Sequence, residues 1–232
     1  MLLWLGGCAL PIIGAPASFA ERDAARAQAG LATSGSRPPP PLPADADSCY
    51  GALRSQGVRF TVADPAEASG VAMPTRLQGP LGAVTVRSRG GDGAALLDCR
   101  LALGLLRWEP WLRRAGVVAI EHVSVYRPGA RTRRRGRVSG HARGLAIDAA
   151  RFVLEDGARL DVLEDWENRE RGRAPCLPDR DEGRAARRLR ALVCDAVEQR
   201  LFQVVLTPHH DRAHADHVHL ELKPEVAWTY VR

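Results

Sequence analysis

The order of apolar and polar positions divides the chain into an apolar start, a polar stretch without periodicity, and a long segment of alternating helical and strand-like patterns. Within residues 95–116, Leu96, Leu97, Leu101, Leu105 and Leu106 recur at helical spacing, and Trp108 and Trp111 extend the stripe. A helix is predicted there, broken or kinked at Pro110, which lacks the N–H of the helical ladder. Residues 117–126 alternate and are rich in β-branched side chains, the signature of a strand. Residues 127–140, with their Pro, Gly and Arg, predict a loop. Residues 145–153 and 159–163 read as a hairpin turning at Glu155-Asp156-Gly157. A helical stripe over residues 184–197 precedes strands at 202–206 and 217–222. Helices and strands alternate irregularly, with no internal repeat and no βαβ series. The expected class is therefore α+β, a small antiparallel sheet with flanking helices.

Composition adds a layout to this list of elements. A chain of 232 residues can bury one catalytic-sized core. Residues 1–13 are apolar but too few to span a bilayer, and read as the hydrophobic part of an export signal. Leu5-Gly6-Gly7-Cys8 fits a lipoprotein cleavage box, with Cys8 as the lipidated residue; the alternative is cleavage after Ser18-Phe19-Ala20. The Ala-, Arg-, Ser- and Pro-rich stretch 21–47, centred on four consecutive prolines from Pro38, is an extended tether that cannot pack. The expected organisation is a leader (1–20), a linker (21–47) and a folded domain (48–232). The expected location is the periplasm or outer membrane.

With Cys8 set aside, Cys49, Cys99, Cys176 and Cys194 form an even set, as expected where disulfides persist. Three pairings exist, and Cys176 with Cys194 and Cys49 with Cys99 is the set favoured here. The absence of CxxC spacing argues against a thiolate metal site or a thioredoxin-like motif.

A net charge of +6 points to anionic partners, among them nucleic acid, a membrane surface and the bacterial wall. Lys223 is the only lysine, so the charge is almost entirely arginine. The run Arg131, Arg133, Arg134, Arg135 and Arg137 has no interleaved aromatic residues for base stacking, and reads as a solvated loop rather than a nucleic-acid contact.

The histidines carry the chemical signal. Five of seven fall between His209 and His219, and a sixth, His141, precedes Asp148 by seven residues. A catalytic zinc takes three N or O ligands and leaves one position open, so a His, an Asp and a second His suffice. On a strand, His217-Val218-His219 would place both imidazoles on one face.

The segment His141-Ala142-Arg143-Gly144-Leu145-Ala146-Ile147-Asp148, followed downstream by His217-Val218-His219, resembles the zinc peptidases that include the D-Ala-D-Ala carboxypeptidases. Within that superfamily the chain is most similar to the extensin-like C-terminal domain family. The resemblance also rests on Asp98-Cys99, Ser124-Val125-Tyr126-Arg127, Ser139, Asp165-Trp166 and the run from Phe202 to Pro208, in that order. Cysteines often found in that family near Val71 and in a Ser-Tyr-x-Cys-Arg-like segment are lacking here.

The resemblance implies zinc on His141, Asp148 and His219, with His217 beside the metal as a polarising or substrate-binding group. It also implies that Arg127 faces the substrate's carbonyl oxygen or carboxylate. Asp216 is the implied general base, which requires the strand to start after it or to bulge there; Asp211 and His217 are the alternatives. The implied activity is hydrolysis of amide bonds in bacterial peptidoglycan, and a non-catalytic zinc-containing wall-binding module is the competing expectation.

Overall fold

The structure is a computed structural model that describes residues 39–91, 93–132, 136–167, 169–177 and 181–232. The apolar start with Cys8 and Ala20, most of the tether, and Arg133, Arg134 and Arg135 lie outside the described residues. Asp45 opens the described helices by capping α1 (Ala46–Ser55), its carboxylate accepting from the Ser48 N–H. Four short strands follow: β1 (Phe60–Val62), β2 (Pro74–Leu77), β3 (Thr85–Ser88) and β4 (Leu96–Asp98). Of these, β1, β2 and β4 form a three-stranded antiparallel sheet, while β3 joins the edge of a larger one.

Helix α2 (Cys99–Arg114) leads into β5 (Val117–Ser124), β6 (Ala146–Leu154) and β7 (Arg159–Asp161). After α3 (Val162–Asp165) and α4 (Arg184–Glu198) come β8 (Val204–Leu206), β9 (Val218–Glu221) and β10 (Tyr230–Val231). The larger sheet runs β10-β8-β9-β6-β5-β3, with β7 paired to β6. The α+β class holds, but the sheet is larger than expected and not purely antiparallel, since β3 pairs β5 and β10 pairs β8 in parallel.

Trp108 of α2 ties the layers together. It is fully buried, meets Phe152 of β6 and Phe202 edge to face, and donates its indole N–H to the Leu192 carbonyl of α4. Disulfides Cys49–Cys99 and Cys176–Cys194 close loops with separations of 50 and 18 residues, matching the favoured pairing. By loop-closure entropy these are worth about 4 and about 3 kcal/mol. They point to an extracellular or periplasmic setting. Among the described residues, no helix is long and apolar enough to cross a membrane.

Three local expectations are corrected. Residues 96–98 are strand rather than helix, because Leu97 pairs with Thr75 of β2 and Asp98 caps α2 through the Arg100 N–H. Pro110 does not end α2, which runs on to Arg114. The proline is exposed, while buried Trp108 and Leu112 hold the helix on both sides of it. Val162 and Leu163 belong to α3 rather than to a strand, because the Asp161 carboxylate accepts from the Leu163 N–H and caps that helix. The helix over 46–55 and the strands β1, β2, β3 and β10 lie where no element was expected.

Candidate metal centre

Short-range rules bring His141 to the sheet. Ser139 accepts from the His141 N–H and starts a single 3-10 turn, Gly140–Arg143. The turn ends at Gly144 with φ of 63°, a left-handed conformation that glycine takes without strain. A Cβ on Gly144 would lie 2.7 Å from the Asp98 nitrogen, whose N–H donates to the Gly144 carbonyl at 2.9 Å. Only a bare backbone fits this approach. The chain then enters β6, where Asp148 stands in register with His219 of β9 on one side and Ser124 of β5 on the other. Pairing along β5 shifts register twice between Glu121 and Ser124, a bulge placed beside the site.

Three donor atoms converge. His141 Nε2 lies 3.1 Å from Asp148 Oδ1 and 3.2 Å from His219 Nδ1, and the last two atoms are 2.9 Å apart. All three residues are buried. A tetrahedral zinc with bonds of about 2.0–2.1 Å would space its ligand atoms roughly 3.3 Å apart, so a small outward relaxation suffices.

The outer partners decide what these atoms can do. His141 Nδ1 lies 2.7 Å from the Val125 carbonyl oxygen, which only accepts, so Nδ1 carries the hydrogen and Nε2 presents its lone pair. His219 Nε2 faces Glu221 Oε2 at 3.3 Å, which turns Nδ1 inward in the same way. Lys223 binds the other Glu221 oxygen at 2.7 Å. Gly140 makes room for this arrangement, since a Cβ there would lie 2.7 Å from the Glu221 side chain. Two inward lone pairs, one carboxylate and engaged outer nitrogens form a donor set that fits zinc.

The electrostatics agree. Burial works against the Asp148 charge, yet His141 and His219 hold its carboxyl far below the ordinary range. Burial likewise disfavours a charged His219, but Asp148 and Glu221 raise its pKa to about 9. The cluster therefore draws positive charge to its centre, the same demand that a divalent cation satisfies.

A cleft of about 590 Å³ opens over Asp148 and is lined by Ser124, Arg127, Asp216 and His217, with residues 93–96 along another wall. Arg127 is exposed, and its backbone N–H donates to the His141 carbonyl at 3.0 Å, fixing its position relative to the centre. His217 Nε2 approaches Asp148 Oδ1 at 3.5 Å, and its Nδ1 binds Asp216 Oδ1 at 2.8 Å. β9 begins at Val218, so Asp216 sits in the preceding turn, where the alternation of a strand does not apply. Its contact with the centre runs through His217. Asp211 is bound to His214 instead.

The five clustered histidines separate in space. His219 reaches the centre, His217 lies beside it, and His210 and His214 lie further out with Asp211. His209 is buried elsewhere, bonded to the Glu170 carbonyl and packed on Trp166. Glu221 and the Val125 carbonyl were not anticipated from sequence; the signal for Glu221 was its period-two spacing from His219. His122, also unanticipated, lines the cleft with both ring nitrogens enclosed and without a hydrogen-bond partner among the described residues. Burial pushes its pKa down to about 4, so it stays neutral.

No curated protein and no solved structure shows significant similarity to the chain. The family model described as extensin-like protein C-terminus matches residues 47–232, which cover α1 from its second residue, the later helices, both sheets and every residue of the converging centre. The chain therefore belongs to the extensin-like C-terminal family.

Proposed function

We propose that this protein is an exported zinc peptidase of the bacterial cell wall that hydrolyses amide bonds in peptidoglycan, with a fold of the D-Ala-D-Ala carboxypeptidase-like kind. The observation that carries this reading is the convergence of His141, Asp148 and His219 within 3.2 Å of one another, with both imidazoles held from behind. The ordered motif from Ser139 to Asp148 and from His217 to His219 supports the superfamily placement. Bound zinc supplies Lewis-acid activation of water and of the scissile carbonyl.

The chain's own residues supply the rest. His217, with Nδ1 donating to Asp216, presents Nε2 at the cleft and takes the proton from the attacking water. Asp216 orients the ring and stabilises its charged form, a carboxylate acting through an imidazole. Arg127, permanently charged at the cleft wall, faces the carbonyl oxygen as negative charge develops on it. The apolar start provides export, with lipid anchoring through Cys8 as one route.

Zinc-loaded protein incubated with purified peptidoglycan is expected to release soluble fragments, and His219→Ala is expected to release none. If loaded protein pellets with the wall but releases nothing, the domain is a wall-binding module without turnover.

A further inference from the structure

The segment before β9 carries a second set of the same three donor types. His210, Asp211 and His214 each offer a ligand atom within 4.8 Å of the others. Their backbone is fixed: the His210 N–H donates to the Thr207 carbonyl at 2.8 Å, and the His214 N–H to the Asp211 carbonyl at 3.1 Å. Asp211 caps a 3-10 turn, Arg212–His214, by accepting from the Ala213 N–H at 2.9 Å. Asp211 is the extended N-cap and His214 the last residue of this turn, so the two are held three residues apart on a short, hydrogen-bonded segment.

The Asp211 Oδ1 to His214 Nδ1 distance is 2.6 Å, close to the 2.9 Å between Asp148 Oδ1 and His219 Nδ1 in the buried centre, so a cation taking the place of the shared hydrogen would find both atoms as ligands. The His210 ring lies 5.2 Å from that of His214, and its Nε2 lies 3.7 Å from Asp211 Oδ2. All three side chains are partly exposed, leaving room for water to complete a coordination shell. Neighbouring Ala213 and Asp216 line the cleft, and the His214 ring sits 5.1 Å from that of His217.

We propose that His210, Asp211 and His214 form a second divalent-cation site, for zinc or a similar first-row metal, at the rim of the cleft. Two imidazoles and one carboxylate suit that class, whereas calcium and magnesium favour oxygen shells. The rim site is the weaker of the two. Asp211 is half exposed to competing water, and among the described residues no group is bonded to His214 Nε2, on the far side of the ring from Asp211. Loss of independent outer partners is worth on the order of 10–100-fold in affinity.

Equilibrium dialysis of the full chain against graded zinc, followed by elemental analysis, tests this without any enzymatic readout. The wild type is expected to bind one ion at low zinc and a second at concentrations on the order of 10–100-fold higher. His210→Ala and Asp211→Asn should each lose the second ion and keep the first; both positions are accessible enough to change without unfolding the chain. His141→Ala should lose the first and keep the second. A wild type that never exceeds one ion, lost in His141→Ala and kept in His210→Ala, overturns the rim site alone. A single ion lost in His210→Ala but kept in His141→Ala supports the rim site and removes the buried one. A second ion that survives both rim substitutions, or no ion at all, also overturns the proposal.

Discussion

The buried centre and the rim cluster contain the same three side chains, two histidines and an aspartate, but they are built in opposite ways. At the rim the donors come from five consecutive residues, with His214 in a 3-10 turn, Asp211 capping it and His210 just before the cap. In the centre they come from a separate turn and two paired strands, Asp148 and His219 being 71 positions apart in sequence. The rim ligands are partly exposed; those of the centre are buried and braced by Val125, Glu221 and, through Glu221, Lys223. The difference teaches that sequence clustering and ligand preorganisation are separate properties. Clustering drew attention to His209–His219, yet the best-braced site takes only His219 from that stretch.

The strongest way to break the comparison is to remove a ligand on each side. Asp148→Asn should abolish tight zinc uptake, while Asp211→Asn should leave it intact, as read by elemental analysis after dialysis at low zinc. Equal loss in both variants would mean that the two clusters do not act separately.

Chelation ranks next. Zinc at one hundred times its dissociation constant stabilises a folded protein by about 2.7 kcal/mol, so a chelator should lower the calorimetric melting temperature of the wild type and of His210→Ala. At zinc concentrations too low to fill the rim site, it should leave His219→Ala unchanged. A similar chelator-induced drop in His219→Ala would place the stabilising ion elsewhere.

Bracing can then be tested alone. Glu221→Gln keeps the shape but weakens the acceptor behind His219, and affinity at the centre should fall about 10–100-fold. Competition with a chromophoric chelator measures this, and unchanged affinity would show that the Glu221 carboxylate does not brace His219.

The smallest effect is expected at His122, a buried histidine with no acceptor behind it among the described residues. Removing an unsatisfied polar group is neutral or favourable, so His122→Leu should change stability by no more than about 1 kcal/mol, in the stabilising direction, with zinc stoichiometry unchanged. Urea denaturation reads the first and elemental analysis the second. A large loss of stability would reveal a partner for the imidazole.

Legibility in the sequence followed the range of the interactions. Periodicity located α2, α4, β5, β6 and β9, because burial of one face leaves a local pattern. It placed residues 96–98 in the helix because an apolar pair beside a helical stripe has the same signature as a short buried strand. Only pairing with Thr75 distinguishes the two. The break allowed for at Pro110 is absent for the reverse reason: an unfavourable local residue is tolerated where Trp108 and Leu112 bury the helix on either side of it.

What the chain by itself determined was chemical and local: an even set of cysteines, a loop leading towards His141, and the types and order of the candidate ligands. The tertiary structure decided which histidines meet, that Asp148 lies opposite His219, and that Asp216 reaches the centre through His217. It also placed Val125 and Glu221 behind the imidazoles. The physical reason is that side-chain periodicity reports the burial of a single element, whereas strand register and convergence are set by packing between elements distant in sequence.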